Sequence, residues 1–240
     1  MTDQISYRLT SLRLSGMSHA WKTLIETRQI NQLTLSDGLE LLLQQEEDLR
    51  KNNRYARLLK QAAFRYQASV EELNTDPQRG MDQQRINRLI TGEYIKNGEA
   101  ILITGKSGCG KSFMASALGH RACKMGFRVA YHNMQKLQKL LKMARLDGSI
   151  LKFFEKIAAT DLLILDDFGL TNLDAQQQVD LLEIIEDRHA KKATIIASQL
   201  PVTEWYDIIG EATIADAILD RIIHTSHRFE LKGDTLRKKQ

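Results

Sequence analysis

The sequence predicts an α/β protein in which a parallel sheet carries helices on both faces and is preceded by a small all-helical N-terminal module. Only two prolines occur in 240 residues, which favours long helices and disfavours a turn-rich all-β fold. In the later part of the chain, short and almost wholly apolar runs alternate with helical stretches, as is typical of parallel strands covered on both sides. The four runs are AILIT at 100–104, FRVAY at 127–131, DLLILDD at 161–167 and ATIIAS at 193–198.

The N-terminal part contains no run that indicates a strand, and its leucines recur at helical spacing. We expect one of its helices to begin near Ser36 or Asp37, because either side chain can cap the first turn. A proline and a glycine then interrupt the pattern, which places a linker at about residues 74–81. The predicted domains are a helical module over residues 1–75 and the α/β domain over residues 76–240.

The composition excludes several classes of protein. Apolar residues make up 42% and charged residues 27%, which is typical of a globular chain and excludes wholesale disorder. Two cysteines are too few for a disulfide framework, and no stretch approaches the roughly 18 to 20 apolar residues that a membrane span needs. The first residues lack the apolar core of a secretory signal, so we expect a cytoplasmic protein without a membrane partner. The net charge of +4 is only a weak indication of polyanion binding.

One glycine-rich segment has the spacing of a phosphate-binding loop. Residues 105–112, here called the P-loop, read GKSGCGKS and fit G-x-x-x-x-G-K-[ST] directly after the first predicted strand. The glycines let backbone N–H groups point at phosphate oxygens, and the dipole of the following helix adds to the attraction. We expect Lys111 to reach the β- and γ-phosphates of ATP and Ser112 to ligate Mg²⁺. The predicted nucleotide-binding residues are Gly105, Lys106, Ser107, Gly108, Cys109, Gly110, Lys111, Ser112 and Phe113.

Two carboxylates end the third apolar run. Asp166 and Asp167 follow four buried-type residues, so both belong at the carboxyl edge of the sheet, beside the phosphates. We expect Asp166 to bind the Mg²⁺ shell and Asp167 to polarise the attacking water, since side chains alternate in direction along a strand. Gln199, just after the fourth run, is the candidate for positioning that water. Two alternatives stay open: the acids cap the next helix, and Ser198 or Gln199 only satisfies backbone groups of its loop.

With these motifs the sequence resembles the AAA+ ATPases of the IstB and DnaC type, which are relatives of the bacterial initiator DnaA. The resemblance covers nearly all of the chain. It is carried by ILITGKSGCGKS, by LLILDDFGL, by the stretch from IIEDRH to FELKG, which is most similar to IstB, and by the helical N-terminal module. It implies an AAA+ P-loop sheet that lacks a full C-terminal lid, because few residues follow Arg221. An aspartate as the second acid is common in this branch and implies slow hydrolysis.

The resemblance also implies a residue that acts between subunits. Arg221 resembles the arginine finger that reaches the nucleotide site of a neighbouring subunit, where a guanidinium neutralises charge on the γ-phosphate. The alternative for Arg221 is an ordinary ion pair with Asp216 or Asp220. Arg188 is a weaker candidate for the same role, with surface ion pairs as its alternative.

Basic residues cluster in two segments. Between residues 49 and 70 the chain has six basic residues and no acidic one, with aromatic residues interleaved, which favours contact with DNA phosphates. A second stripe recurs every three residues after the second strand, in the region that lines the DNA groove of initiator-type relatives. For each, the alternative is a solvated helix face. The predicted DNA-binding residues are Arg50, Lys51, Arg54, Arg57, Lys60 and Arg65, then Lys136, Lys139, Lys142 and Arg145; Arg237, Lys238 and Lys239 add non-specific attraction.

Together these features predict an ATP- and Mg²⁺-dependent, DNA-stimulated ATPase of an insertion-sequence transposition system. By resemblance, it oligomerises on non-specific double-stranded DNA, delivers target DNA to the transposase of the same element and stimulates that transposase. The nearest alternative is a DnaC-type replicative helicase loader that acts on single-stranded DNA. Two further classes share the phosphate loop: a P-loop small-molecule kinase, and a nucleotide-driven switch without turnover.

Overall fold

The computed structural model describes residues 2–235, so the basic residues Arg237, Lys238 and Lys239 lie outside the described part. The chain divides into two compact units, Met1–Arg57 and Leu58–Gln240. The domain boundary predicted between residues 75 and 76 falls inside the second unit. The segment predicted to be a linker therefore contributes to the α/β unit.

The first unit is helical, with α1 at Thr2–Ser11, α2 at Ser15–Glu26, a 3-10 turn at Gln29–Gln32 and the beginning of α3, which spans Leu35–Ala62. Thr34 caps α3: its hydroxyl accepts from Asp37 N at 3.2 Å and donates to Asp37 Oδ2 at 2.7 Å. The expectation that Ser36 or Asp37 is the cap is therefore wrong. The cap lies earlier because the Thr34 hydroxyl exchanges two hydrogen bonds with Asp37, which occupies the third helical position.

The second unit is built on five parallel strands, which confirms the predicted sheet. In chain order they are β1 Ala100–Gly105, β2 Val129–Asn133, β3 Leu162–Phe168, β4 Ala193–Ser198 and β5 Ser226–Leu231. Their order across the sheet is β2-β3-β4-β1-β5, so the chain returns to place β1 between β4 and β5. Every described pairing is parallel, and the carboxyl ends of all five strands therefore meet at one edge. The sequence predicted four of these strands and missed β5.

Helices cover both faces of the sheet, as predicted. On one face, α7 to α11 pack on a core that includes Leu102, Leu163, Leu165 and Ile196. On the other, α6 lies against Ile164 of β3. The helices of this unit are α4 Gln83–Ile90, α5 Glu93–Lys96, α6 Lys111–Lys124, α7 Met134–Leu146, α8 Ile150–Ala158, α9 Ala175–Arg188, α10 Trp205–Ile209 and α11 Ala212–Ile223. Three short 3-10 turns lie at Val70–Glu72, Pro77–Arg79 and Val202–Glu204.

Two kinds of helix are not found among the described residues. Between β5 and residue 235 the described chain contains no further helix. Within residues 2–235, no helix combines the length and the apolar character needed to cross a lipid bilayer.

Candidate functional site

The P-loop connects the carboxyl end of β1 to the start of α6. Gly105, Gly108 and Gly110 have φ angles of 144°, 83° and 104°, a region that glycine adopts without a steric penalty. A Cβ on Gly105 would lie 2.3 Å from the carbonyl oxygen of Leu231, so β5 also requires glycine here. The glycines thus allow the loop to curl and to approach β5 closely.

Lys111 is the first residue of α6 and its side chain turns back over the loop. Its Nζ donates to the carbonyl oxygens of Gly105 at 2.7 Å and Lys106 at 2.8 Å, and the residue is buried. These carbonyls hold the ammonium group against the loop that would receive the phosphates. The Lys111 ammonium group therefore lies at the P-loop itself.

Ser112 and Asp166 come together beside the P-loop. Ser112 Oγ donates to Asp166 Oδ1 at 2.9 Å, and Tyr131 donates its hydroxyl to Asp166 Oδ2. Burial, reinforced by the hydrogen bond to Asp166, raises the pKa of Tyr131, so the phenol remains a donor at neutral pH. A hydroxyl and a buried carboxylate are oxygen ligands of the type that Mg²⁺ prefers. These two side chains fit the predicted metal site.

The backbone at Asp167 breaks the regular alternation of β3. Asp167 has a φ of 57°, in the left-handed region, and the pairing of β3 with β4 shifts register between Leu165 and Phe168. The local bulge, rather than simple alternation, directs the Asp167 side chain. It lines the same cavity as Lys111 and Ser112.

Two donors hold one oxygen of Asp167. Asn133 Nδ2, at the end of β2, donates to Asp167 Oδ2 at 2.8 Å, and Arg65 Nη1 donates to the same atom at 3.1 Å. Sequence reasoning missed Asn133, although a polar residue that ends a parallel strand beside β3 was an available signal. It also assigned Arg65 to DNA contact only, because no local pattern relates residue 65 to residue 167.

A cavity of about 380 Å³ lies between the P-loop, Asp167 and the segment that precedes α4. This volume is within the range of pockets for ligands of nucleotide size. Gln199 lines it, as does Phe113. The remaining wall comes from the segment that was predicted to end the N-terminal module and form the linker; its residues are Tyr66, Glu72, Leu73, Asn74 and Met81.

The two polar residues after β4 have different environments. Ser198 is buried, donates its hydroxyl to the carbonyl oxygen of Phe168 at 2.8 Å and accepts from Leu200 N at 3.1 Å. Ser198 therefore satisfies backbone groups of its loop. Gln199 instead shares the cavity with Asp167, which is where a residue that orients water would have to lie.

Arg188 is buried inside the α/β unit. It donates to the carbonyl oxygens of Ile157 at 2.8 Å and Thr160 at 3.0 Å, and to Thr194 Oγ1 at 3.1 Å. Burial lowers the pKa of Arg188 to about 10, so the guanidinium is still charged at neutral pH. The expectation of surface ion pairs for Arg188 is wrong, because its donors tie the end of α8 to the start of β4.

Arg221 lies near the end of α11. It donates to the Ala217 carbonyl oxygen at 2.8 Å and to Glu186 Oε1 at 3.1 Å, so its ion-pair partner is Glu186 and not Asp216 or Asp220. Arg221 borders a small cleft with Ala100, the first residue of β1. The P-loop follows the other end of that strand, about 16 Å away at the usual rise per residue. Arg221 is thus distant from the P-loop of its own chain.

The predicted DNA-binding residues lie in contrasting surroundings. In the first unit, Arg50 and Lys51 pair with acids one turn earlier, Glu46 at 2.7 Å and Glu47 at 3.3 Å, which lie just outside the acid-free window. Lys136, Lys139 and Lys142 are exposed on α7, whereas Arg145 pairs with the buried carboxylate of Asp180. The three lysines keep the solvent-exposed geometry that phosphate contact requires.

Comparison with known proteins identifies relatives over nearly the whole chain. The family model for IstB-like ATP binding proteins matches residues 7–240. An insertion sequence ATP-binding protein, y4pL of Sinorhizobium fredii, is 42% identical over 97% of this chain and 95% of its own length. The IS1162 ATP-binding protein of Pseudomonas fluorescens is 38% identical over 84% of this chain and 87% of its own.

Solved structures share the fold at lower identity. DnaI superimposes with a TM-score of 0.58 and 18% identity, over 71% of this chain and 91% of that one. The DnaC helicase loader gives a TM-score of 0.54 and 20% identity, over 69% and 97%. At this level of identity the likeness establishes the α/β fold of the second unit.

Proposed function

The chain belongs to the family of IstB-like ATP-binding proteins, and from that premise we propose that it is the ATP-dependent, DNA-binding helper ATPase of an insertion-sequence transposition system. It assembles on duplex DNA, delivers that DNA to the transposase of the same element and stimulates the transposase. The observation that carries the proposal is the 42% identity to an insertion sequence ATP-binding protein over 97% of the chain.

The positions of the side chains at the described site support hydrolysis of ATP. The N–H groups of the P-loop and the Lys111 ammonium bind the phosphates of ATP and neutralise their charge. Ser112 and Asp166 would hold Mg²⁺, which supplies further positive charge to the phosphates when bound. Asp167 accepts a hydrogen bond from the attacking water, and Gln199 orients that water from the other side of the cavity.

We assign Arg221 to the nucleotide site of a neighbouring subunit and not to the site of its own chain. Its guanidinium lies at the amino edge of the sheet, where it cannot reach the P-loop beyond the carboxyl edge. A neighbouring subunit that presents its P-loop to this edge gains Arg221 as a finger on the γ-phosphate. In this arrangement ATP is hydrolysed only in the assembled protein. Hydrolysis of ATP would therefore control how long the protein stays on DNA.

DNA contact is assigned to the exposed lysines of α7 and, separately, to the basic residues of α3. Such contacts address phosphates and carry no sequence information, so we expect non-specific binding. Affinity should fall steeply with salt, with a slope of about −0.9 on a log–log scale for each phosphate neutralised.

The test measures particle mass by light scattering with ATP, with linear duplex DNA, and with both. We expect large assemblies only when ATP and duplex DNA are present together, and accelerated phosphate release under the same condition. A protein that stays monomeric with duplex DNA but assembles on single strands would instead favour a helicase loader. Tight ATP binding without any turnover would identify a switch and refute the ATPase assignment.

A further inference from the structure

Arg65 stands beside both acids that end β3. It lies in the irregular segment after α3 ends at Ala62, inside the second unit. Its Nη1 is 3.1 Å from Asp167 Oδ2 and 3.8 Å from Asp166 Oδ2. One guanidinium therefore faces two neighbouring carboxylates, which would otherwise repel each other.

The position of Arg65 is fixed by the residues on either side of it. The Phe64 ring lies 4.4 Å, centroid to centroid, from the ring of His120 on α6. The glycine at 119 makes room for it, since a Cβ there would lie 2.4 Å from Phe64 Cε1. On the other side, the Tyr66 carbonyl oxygen is 3.1 Å from His120 Nε2, and the Tyr66 ring lines the nucleotide cavity. The residues on either side of Arg65 are thus both held by His120 of α6.

The contacts of Asp167 are one-sided. Asn133 and Arg65 both donate to Oδ2, whereas Oδ1 makes no hydrogen bond with any of the described residues. Two donors that converge on one oxygen fix the plane of the carboxylate and leave the other oxygen available to a water molecule.

We infer that Arg65 is a positioning residue for ATP hydrolysis, which holds the Asp167 carboxylate so that Oδ1 faces the attacking water. This inference rests on the proposed ATPase function and deepens it. Arg65 acts through Asp167, whose Oδ2 it contacts at 3.1 Å. Arg65, which belongs to the basic segment between residues 49 and 70, is thereby assigned to the hydrolytic site.

The test compares three variants of the full chain with the wild type. Arg65→Ala removes the donor, and Arg65→Lys keeps the charge but offers a single ammonium in place of a planar fork. Arg88→Ala is the matched control, because Arg88 is an exposed arginine on α4 of the same unit and does not line the nucleotide cavity. Phosphate release gives kcat and KM, binding of a fluorescent ATP analogue gives nucleotide affinity, and thermal unfolding reports on folding.

We expect Arg65→Ala to lower kcat at least tenfold while KM and analogue affinity change less than twofold. Arg65→Lys should recover part of that loss, and Arg88→Ala should match the wild type. Unchanged or increased kcat in Arg65→Ala would overturn the inference, as would a parallel loss of nucleotide affinity. If the wild type itself binds ATP without turnover, the proposed function fails and the inference fails with it. If the wild type turns over and the Arg65 variants match it, the inference alone fails.

Discussion

At the scale of single residues, the backbone of Asp167 explains why this acid is an aspartate. Its φ of 57° is in a region that aspartate and asparagine adopt more readily than other residues with a Cβ. The neighbouring register shift between β3 and β4 creates this conformation. A glutamate would add a methylene and meet a less tolerant backbone, so the choice of acid follows from the local bulge as well as from its chemistry.

Asp167→Asn is expected to separate ATP binding from hydrolysis. Asparagine keeps the size of the side chain and tolerates the left-handed backbone, so folding and nucleotide affinity should be preserved. Loss of the charged acceptor should lower kcat by about 10² or more, the usual contribution of a positioned base. Binding of a fluorescent ATP analogue and phosphate release measure the two properties. An equal loss of both would show that Asp167 serves binding rather than water activation.

Lys111→Ala is expected to weaken ATP binding. Without the ammonium that Gly105 and Lys106 hold over the loop, the phosphates lose their main cationic partner, and ATP affinity should fall at least 100-fold. Lys124→Ala, at the exposed end of the same helix, is the control and should bind ATP normally. Titration with the analogue checks both. Retained affinity in Lys111→Ala would remove this residue from the phosphate site.

At the scale of elements, α6 carries the P-loop at one end and supports the Arg65 segment near the other. Gly119 is the point of support, because only a glycine leaves room for the Phe64 ring between α6 and β3. An alanine inside a helix normally stabilises it by about 0.5–1 kcal/mol over glycine. Here the steric conflict with Phe64 and Ile164 opposes that gain.

Gly119→Ala should therefore destabilise the protein, by about 1–3 kcal/mol, the usual range for overpacking. It should also lower kcat, because displaced Phe64 carries Arg65 away from Asp167. Gly38→Ala is the matched control: nothing lies within 4 Å of a Cβ there, so we expect a gain in stability. Urea unfolding and phosphate release measure the effects. A stabilised Gly119→Ala protein with normal turnover would contradict this account of the packing.

How much of the structure could be predicted from the sequence also differs from one element to another. The segment from β1 through the P-loop to α6 was predictable because motif, strand and helix are contiguous in sequence. The strand β5 was missed because SHRFEL has exposed polar positions and follows a helix with little punctuation. Arg65 and Asn133 could not be assigned because their roles depend on contacts with residue 167, across 102 and 34 positions. Burial of Arg188 likewise depends on backbone carbonyls that only the folded unit brings together.

At the scale of the whole molecule, Arg221 and the P-loop lie at opposite edges of the sheet. A head-to-tail contact between two copies would bring the Arg221 edge of one subunit to the P-loop edge of the next. In such an assembly each complete site takes its phosphate loop from one chain and its finger from another. A subunit that has lost its P-loop can then still supply its finger to a neighbour, and a subunit that has lost its finger can still use its own P-loop. Neither is possible if one chain forms the whole site.

Mixing two inactive variants tests this arrangement. Lys111→Ala lacks a working P-loop and Arg221→Ala lacks the finger, so neither alone should show DNA-stimulated turnover. In a random mixture about a quarter of the interfaces join an intact P-loop to an intact finger, and turnover should recover toward that fraction of the wild type. Glu186→Gln is the control, since it removes only the ion-pair partner of Arg221 and should stay active. If Arg221→Ala turns over normally, or if the mixture stays silent, then Arg221 does not complete a neighbouring site.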